Sequence, residues 1–246
     1  MTEGFYRLAD CIIHLESLYD DVHQMCRDYR TDGSPDYCIV TSEDDIRYES
    51  VKSDEERRLE GLPEYKFTAG YLETLSVYRK IVTWMMQYRN TFLFHGSVVA
   101  VDGEAYIFTA KSGTGKSTHT RLWRKMFGER AIMVNDDKPL LRVNPDGTVT
   151  VFGTPWDGKH HLSTNIAVPL KAVCLLERSA ENHIEPVSPF DHVAFLMQQM
   201  YRGEDGAMTF KALSYFDAFA RSCRFYRLGC NMNDDAALVA YKGMQP

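Results

Sequence analysis

Nine consecutive residues, Ala110-Lys111-Ser112-Gly113-Thr114-Gly115-Lys116-Ser117-Thr118, carry the most specific chemistry in the chain. Glycines at this spacing let successive backbone amides turn inward around an anion. The lysine reaches the β- and γ-phosphates, and the hydroxyl after it suits Mg²⁺. The apolar run Ala105 to Thr109 precedes the stretch, and Thr120, Leu122, Trp123, Met126 and Phe127 follow at helical spacing, so it reads as strand, phosphate loop, helix. Lys111, Ser112, Gly113, Thr114, Gly115, Lys116, Ser117 and Thr118 are therefore the expected ATP-binding residues. Ala110 stands where the usual pattern has its first glycine, so the opening turn must use negative φ or tolerate a methyl group.

Binding alone is not transfer, which needs a metal contact and a group to take the acceptor's proton. Asp136 and Asp137 follow the apolar run Ala131 to Val134, about twenty residues after Lys116. One carboxylate there can share Mg²⁺ with Ser117, and the other can act as base. Neighbours on an extended strand point to opposite sides, so both can serve one site only where the strand ends or bends. His95, before Gly96 in an apolar stretch, reads on its own as a structural histidine.

Several elements must position these groups. Residues 69–90 form the strongest helix, with Tyr71, Leu75, Tyr78, Val82 and Met85 making one broad apolar stripe that reads as core. This helix is expected to cross the nucleotide-binding sheet and join two lobes. Phe92 to Val101 is an apolar strand interrupted at His95-Gly96, and Asp102-Gly103 is a two-residue hairpin turn into Glu104 to Thr109. A hairpin leading straight into a phosphate loop points to a mixed sheet rather than a parallel one. The helix after the loop should end at Gly128, and 140–143 and 148–152 should form a second hairpin. Further strands are expected at 173–177 and 224–228, and helices from Ser188 to about Tyr201, at 209–221 and at 234–241. Upstream, 5–15 reads as one strand, 17–29 as a short helix and 37–41 as a strand, while 42–63 is charged and solvated. Residues 1–65 are thus expected to form a small acidic α+β lobe and residues 66–246 a nucleotide-binding domain.

His95-Gly96, the Asp102-Gly103 hairpin, Ser112-Gly113-Thr114-Gly115-Lys116-Ser117 and Asp136-Asp137 together resemble the HPr kinase/phosphorylase family, in order and in spacing. The resemblance covers about 92–180 well, the tail loosely, and 1–90 not at all. It implies an α/β fold of mixed α+β character, the phosphoenolpyruvate carboxykinase / HPr kinase-like mixed-sheet P-loop domain. It implies an ATP- and Mg²⁺-dependent kinase acting on a hydroxyl acceptor, with Asp137 and Asp136 as base and metal contact, and His95 close to the reacting phosphate. Lys116 would neutralise the phosphates, and Ser117 and Asp136 would hold the metal. The family's acidic residue before a later glycine-rich segment is missing, since Val151-Phe152-Gly153 stands there. The loop from Gly153 to Lys159 instead looks like that of shorter HPr-kinase-like proteins associated with peptide-modification systems. Trp156 and Lys159 either border the acceptor or belong to a structural turn. Arg202, in a Gly-flanked loop, could stabilise the phosphoryl group in transfer or lie on the surface. His160-His161 has no third ligand at useful spacing.

Composition narrows the classes. With 44% hydrophobic and 25% charged residues, the 246-residue chain reads as an ordinary globular protein. Its net charge of −6 conceals an acidic start: 1–66 hold 17 acidic and 8 basic side chains, leaving 17 and 20 of the chain's 34 and 28. Neither half looks like a nucleic-acid surface. No apolar run is long enough for a membrane span, and Met1 to Tyr19 lacks a leader pattern, so a cytoplasmic protein is expected. Six scattered cysteines read as reduced thiols. The acceptor, a protein, peptide or small molecule, is left open, and a homo-oligomer is possible. Two other readings are a nucleotide-binding regulatory or scaffold module without turnover and, more weakly, a phosphoenolpyruvate carboxykinase-like activity.

Overall fold

The computed structural model describes residues 1–59 and 61–245 and divides the chain into two compact units, Met1–Trp84 and Met85–Pro246. The division falls inside the long helix, whereas the change in composition suggested 65/66.

In the first unit β1 (Thr2–Leu8) and β2 (Cys11–Ser17) are antiparallel, and after α1 (Asp21–Met25) β3 (Tyr37–Val40) joins β2 in parallel. The stretch expected as one strand over 5–15 is thus a hairpin. Its turn is Ala9-Asp10, both at positive φ (44° and 60°), with neither glycine nor asparagine to announce it. The helix expected over 17–29 shrinks to α1 and a short 3₁₀ turn, because Ser17 closes β2. The charged stretch forms α2 (Glu43–Leu59), followed by α3 (Ala69–Tyr88). Ion pairs join the two: Arg79 Nε to Glu49 Oε1 at 2.6 Å and Lys80 Nζ to Asp45 Oδ2 at 2.9 Å. The buried Glu73 of α3 accepts from the amides of Leu18 (2.7 Å) and Tyr19 (2.9 Å) and from the Thr41 hydroxyl, so a charged helix residue closes the ends of two strands.

The second unit is built on one mixed sheet with helices on both faces. In chain order it contains β4 (Thr91–Leu93), β5 (Ser97–Val101), β6 (Glu104–Thr109), α4 (Lys116–Phe127), β7 (Ala131–Asn135), β8 (Leu140–Val143), β9 (Val149–Phe152), β10 (Ala167–Arg178), β11 (His183–Val187), α5 (Val193–Gln198), α6 (Gly206–Ser222), β12 (Arg224–Cys230) and α7 (Asp235–Gly243). The path runs β4-β8-β9-β10-β6-β5-β7, with β12 on the far half of β10 and β11 outside it. The stretch expected as one strand over 92–101 is split, since β4 pairs with β8 while β5 lies between β6 and β7. β11 has no strand signal of its own, since it is five residues long and contains Pro186; it lies at the edge, where proline is tolerated. The helix expected from Ser188 is a capped 3₁₀ turn leading into the short α5.

Period-two alternation sets the core. Val99, Val101, Tyr106, Phe108, Ala172, Cys174, Leu176, Tyr226 and Leu228 share one face, under Leu122 and Trp123 of α4 and Ala236, Ala237 and Ala240 of α7. Trp123 is fully buried, and its indole N–H donates to His119 Nε2 at 3.0 Å. On the opposite face Phe219 of α6 meets Phe92, Phe94 and Phe225. This sandwich fixes one edge of the sheet. β10 and β12 run parallel to β6, and β7 does too because both it and β6 are antiparallel to β5, so the ends of all four strands and the start of β5 lie together.

Candidate functional site

The glycine loop over 110–115 leaves the end of β6 and leads into α4. Gly113 (φ +74°) and Gly115 (φ +124°) adopt conformations that side chains rarely take, and a Cβ on either would meet nothing within 4 Å. They are glycines for backbone shape and for access. Ala110 is not among the residues at positive φ, and it is buried in the core under α4, so the opening turn needs no glycine. Gly115 caps α4 without any side-chain bond, leaving the helix's first amides facing outward for an anion. Lys116 reaches back across the loop, with Nζ 3.3 Å from the Ala110 carbonyl. Burial lowers its pKa, against the opposing pull of the Asp137 and Asp136 charges.

The carboxylates come from the end of β7. The β5–β7 ladder slips there, with Val98 opposite Asn135 and Val99 opposite Met133, so Val134 forms a bulge. The buried Asn135 then folds the chain over. Its Oδ1 accepts from the amides of Asp137 (2.8 Å) and Lys138 (2.7 Å), while its Nδ2 donates to the Thr154 carbonyl (2.9 Å) and Thr154 Oγ1 (3.0 Å). The strand therefore ends in a side-chain-capped turn, which removes the alternation that would have sent the two acids apart.

Asp136 is only 7% exposed. Ser97 Oγ donates to its Oδ1 at 2.5 Å and lies 2.9 Å from Thr120 Oγ1. A carboxylate can only accept, so the Ser97 proton goes to Asp136 and the Thr120 proton to Ser97. This chain ties Asp136 to α4, one turn beyond Lys116. Asp137 is paired with His95, Nε2 to Oδ1 at 3.2 Å, while His95 Nδ1 lies 3.1 Å from Gln199 Oε1. The backbone holds the ring in place: the His95 amide donates to the Gln199 carbonyl (2.6 Å), and the Gly96 amide to the Asp137 carbonyl (3.0 Å). Burial pushes the Asp137 carboxyl up, but the His95 hydrogen bond and the charges of Lys138, His95 and Lys116 outweigh it, and the pKa is lowered. Gly96 lets β5 pass close to β6, since a Cβ there would lie 3.1 Å from Ile107 and 3.2 Å from the Phe108 carbonyl.

The loop over 153–161 borders the same turn. Thr154 Oγ1 donates to the Lys138 carbonyl at 2.9 Å, and a Cβ on Gly158 would come 3.3 Å from the Asp137 Cβ. Trp156 is buried at 5% exposure, Lys159 is exposed, and the buried Asp157 accepts from the Ser163 amide (2.9 Å) beside His161 (3.1 Å). Arg202 is exposed between α5 and α6, and among the described contacts none joins it to His95, Asp136 or Asp137. Lys116, Asp136, Asp137 and His95 are thus brought together, while Ser97, Thr120, Asn135 and Gln199 hold them and carry no motif of their own.

On the other side of the loop lies an open cleft of about 370 Å³, between Ala110, Lys111 and Thr114, the end of β10, the face of α5 and Arg227 of β12. No helix among the described residues is long and apolar enough to cross a membrane. The one three-ligand group of metal-binding type among those residues, Glu3, His14 and Glu16, belongs to the first unit.

A family model described as SynChlorMet cassette protein ScmC matches residues 68–214. The sequence matches no curated protein. Among solved structures, the chain is similar to the Hpr(Ser) kinase/phosphatase from Coxiella burnetii, with 8% identity and a TM-score of 0.33 over 61% of this chain and 87% of that one.

Proposed function

The chain belongs to the SynChlorMet cassette protein ScmC family, and we propose that it is an ATP- and Mg²⁺-dependent kinase of HPr kinase-like fold that transfers the γ-phosphoryl group to a hydroxyl on a protein, peptide or small molecule. The observation that carries this reading is the His95–Asp137 pair standing with Lys116 at the open end of α4. A module that only binds nucleotide needs the loop and the lysine. It does not need an ionised carboxylate oriented by an imidazole.

The residues fit the groups they would hold. The uncapped amides of α4 and the two open glycines suit a polyphosphate, with the Lys116 ammonium among its oxygens. Ser117, beside Lys116 at the start of α4, and Asp136, tied to the same helix through Ser97 and Thr120, both offer oxygen atoms, which suit a hard cation. Mg²⁺ would supply charge neutralisation at the phosphates. The acceptor hydroxyl gives its proton to Asp137, its oxygen bonds to the γ-phosphorus, and the bond from that phosphorus to the bridging oxygen of ADP breaks. A carboxylate with a lowered pKa is a weak base, which suffices where the transition state is loose and proton transfer late. His95 keeps that carboxylate ionised and aimed.

Lys116→Ala should abolish calorimetrically detectable Mg·ATP binding, while Asp137→Asn should bind ATP within about twofold of the parent and lose ADP formation. Normal binding and turnover in both variants would refute the assignment. Tight binding by the parent with no ADP formed against hydroxyl-bearing peptides, small alcohols or water would favour the regulatory module instead.

A further inference from the structure

Resting on that kinase reading, we infer that the cleft lined by Phe195, His192, Glu177, Arg178 and Arg227 is the subsite for the nucleoside of the triphosphate, and that the acceptor enters from the opposite side of the phosphate loop. The strand order supplies the first reason. Reading across the sheet, β7, β5, β6, β10 and β12 are neighbours, and the loop leaves β6. Asp136 and Asp137 lie two strands to one side, and the cleft lies over the ends of the two strands on the other. With about 4.8 Å between strands, these are separate locations roughly 10 Å apart on either side of the loop. A triphosphate seated on the loop has a reacting end and a nucleoside end. If the reacting end faces Asp137 and His95, the nucleoside end faces β10 and β12.

The lining supplies the second reason. Leu175 and Leu176 give an apolar floor, and the half-buried Phe195 of α5, with His192 just before it, gives flat surfaces for a base. Glu177, exposed at the end of β10, offers carboxylate oxygens to base N–H or ribose O–H groups. Arg178 donates to the Gly113 carbonyl at 2.6 Å, so its charge stands at the junction of cleft and loop, where the α-phosphate of a nucleotide would pass. Arg227 is held by Glu185 (Nε to Oε1, 2.9 Å), which fixes it as a wall. At about 370 Å³ the cleft is within the range of small-ligand sites. The same short helix links the two ends of the site, since Gln199, which touches His95, also lies 3.4 Å from the Phe195 carbonyl.

Calorimetry with Mg·ATP and with Mg·tripolyphosphate, which carries the phosphates and no nucleoside, separates this subsite from the loop. The parent protein should bind ATP about tenfold or more tighter than tripolyphosphate. Phe195→Ala should weaken ATP by about tenfold and leave tripolyphosphate within twofold. Glu177→Gln, at an exposed position that leaves the fold intact, should weaken ATP several-fold with the same selectivity. Equal affinity of the parent for the two ligands, or equal weakening of both by Phe195→Ala, would overturn the nucleoside subsite while leaving the phosphate loop standing. A parent that binds neither ligand would overturn the kinase reading itself.

Discussion

Gly153 offers a demanding test of how the site is built. Its Cα faces backbone on two sides: a Cβ there would lie 1.9 Å from the Thr164 carbonyl oxygen and 2.7 Å from that of Val134. Ordinary contact begins near 3.4 Å, so Gly153→Ala requires separations of about 1.5 Å and about 0.7 Å, and no flexible side chain can supply them. The two bonds that hold this crossing, Gly153 N to the Ile166 carbonyl (3.1 Å) and Thr164 N to the Val134 carbonyl (3.3 Å), are the first to yield. Overpacking costs about 1–3 kcal/mol and each lost hydrogen bond about 1 kcal/mol, for a total of roughly 3–5 kcal/mol. In a unit of this size that is a fall of about 6–20 °C in melting temperature. Because Val134 precedes Asn135, the displacement should also loosen the turn that carries Asp136 and Asp137, and ADP formation should fall more than the folded fraction does. Gly103→Ala is the control, since Gly103 (φ +82°) has nothing within 4 Å and only backbone strain of about 1 kcal/mol is expected. Differential scanning calorimetry of both variants reads the result. If Gly153→Ala melted within 2 °C of the parent, or no lower than Gly103→Ala, the tight crossing would be refuted.

Other consequences follow from single contacts. Ser97→Ala removes the donor to Asp136 and should lower ADP formation about 10–100-fold with ATP affinity unchanged, as calorimetry and steady-state assay together would show. His95→Phe removes the leading contribution that keeps the Asp137 pKa low, so the acid limb of the pH–kcat/KM profile should move to higher pH; an unmoved limb would show that Asp137 is not the group titrating. Burial holds the His119 imidazole down to about 4, so the unfolded chain takes up this proton first as pH falls. Stability should accordingly drop between about pH 6.5 and 4, by roughly 3 kcal/mol in all, and His119→Gln, which keeps an acceptor for Trp123, should lessen the drop in urea titrations. Glu73→Ala leaves two backbone amides and the Thr41 hydroxyl without their acceptor and should cost about 2–4 kcal/mol in thermal melts; a loss below 0.5 kcal/mol would count against its structural role.

The elements that could be read from sequence are those whose signal is local. The Asp102-Gly103 turn, with φ of 53° and 82°, joins β5 to β6 in the expected register, because a two-residue turn of this kind leaves the strands little choice. The helical period of α3 and the capping of α4 by Gly128 are equally local, although the buried part of the expected stripe is Tyr78, Val82 and Met85, while Leu75 is half-buried and Tyr71 exposed. The Ala9-Asp10 hairpin was hidden because no glycine follows Asp10 and Ala9 has no preference for positive φ, so the pairing of β1 with β2 has to impose the left-handed conformation there. The break between β4 and β5 was hidden for a different reason. Both are apolar and nearly contiguous, and only their partners, β8 for one and β6 and β7 for the other, separate them.

The same division runs through the site. The loop is legible because its backbone shape depends on Gly113 and Gly115 alone, and the bend at Asp136-Asp137 had a local cause in Asn135, whose side chain bonds two and three residues onward. What tunes the two acids is not local. Ser97 is 39 residues from Asp136, and Gln199 is 104 residues from His95. Nothing in the types of Ser97 or Gln199 marks them; they matter because β5 starts where β7 ends and α5 closes beside both. An Asp-Asp pair at the same spacing on a sheet without that adjacency would keep its sequence motif and lose the hydrogen bond that lowers the Asp137 pKa. The motif therefore marks which acids stand near the glycine loop, and the strand order decides that Asp137 is the one paired with an imidazole and Asp136 the one held by a hydroxyl.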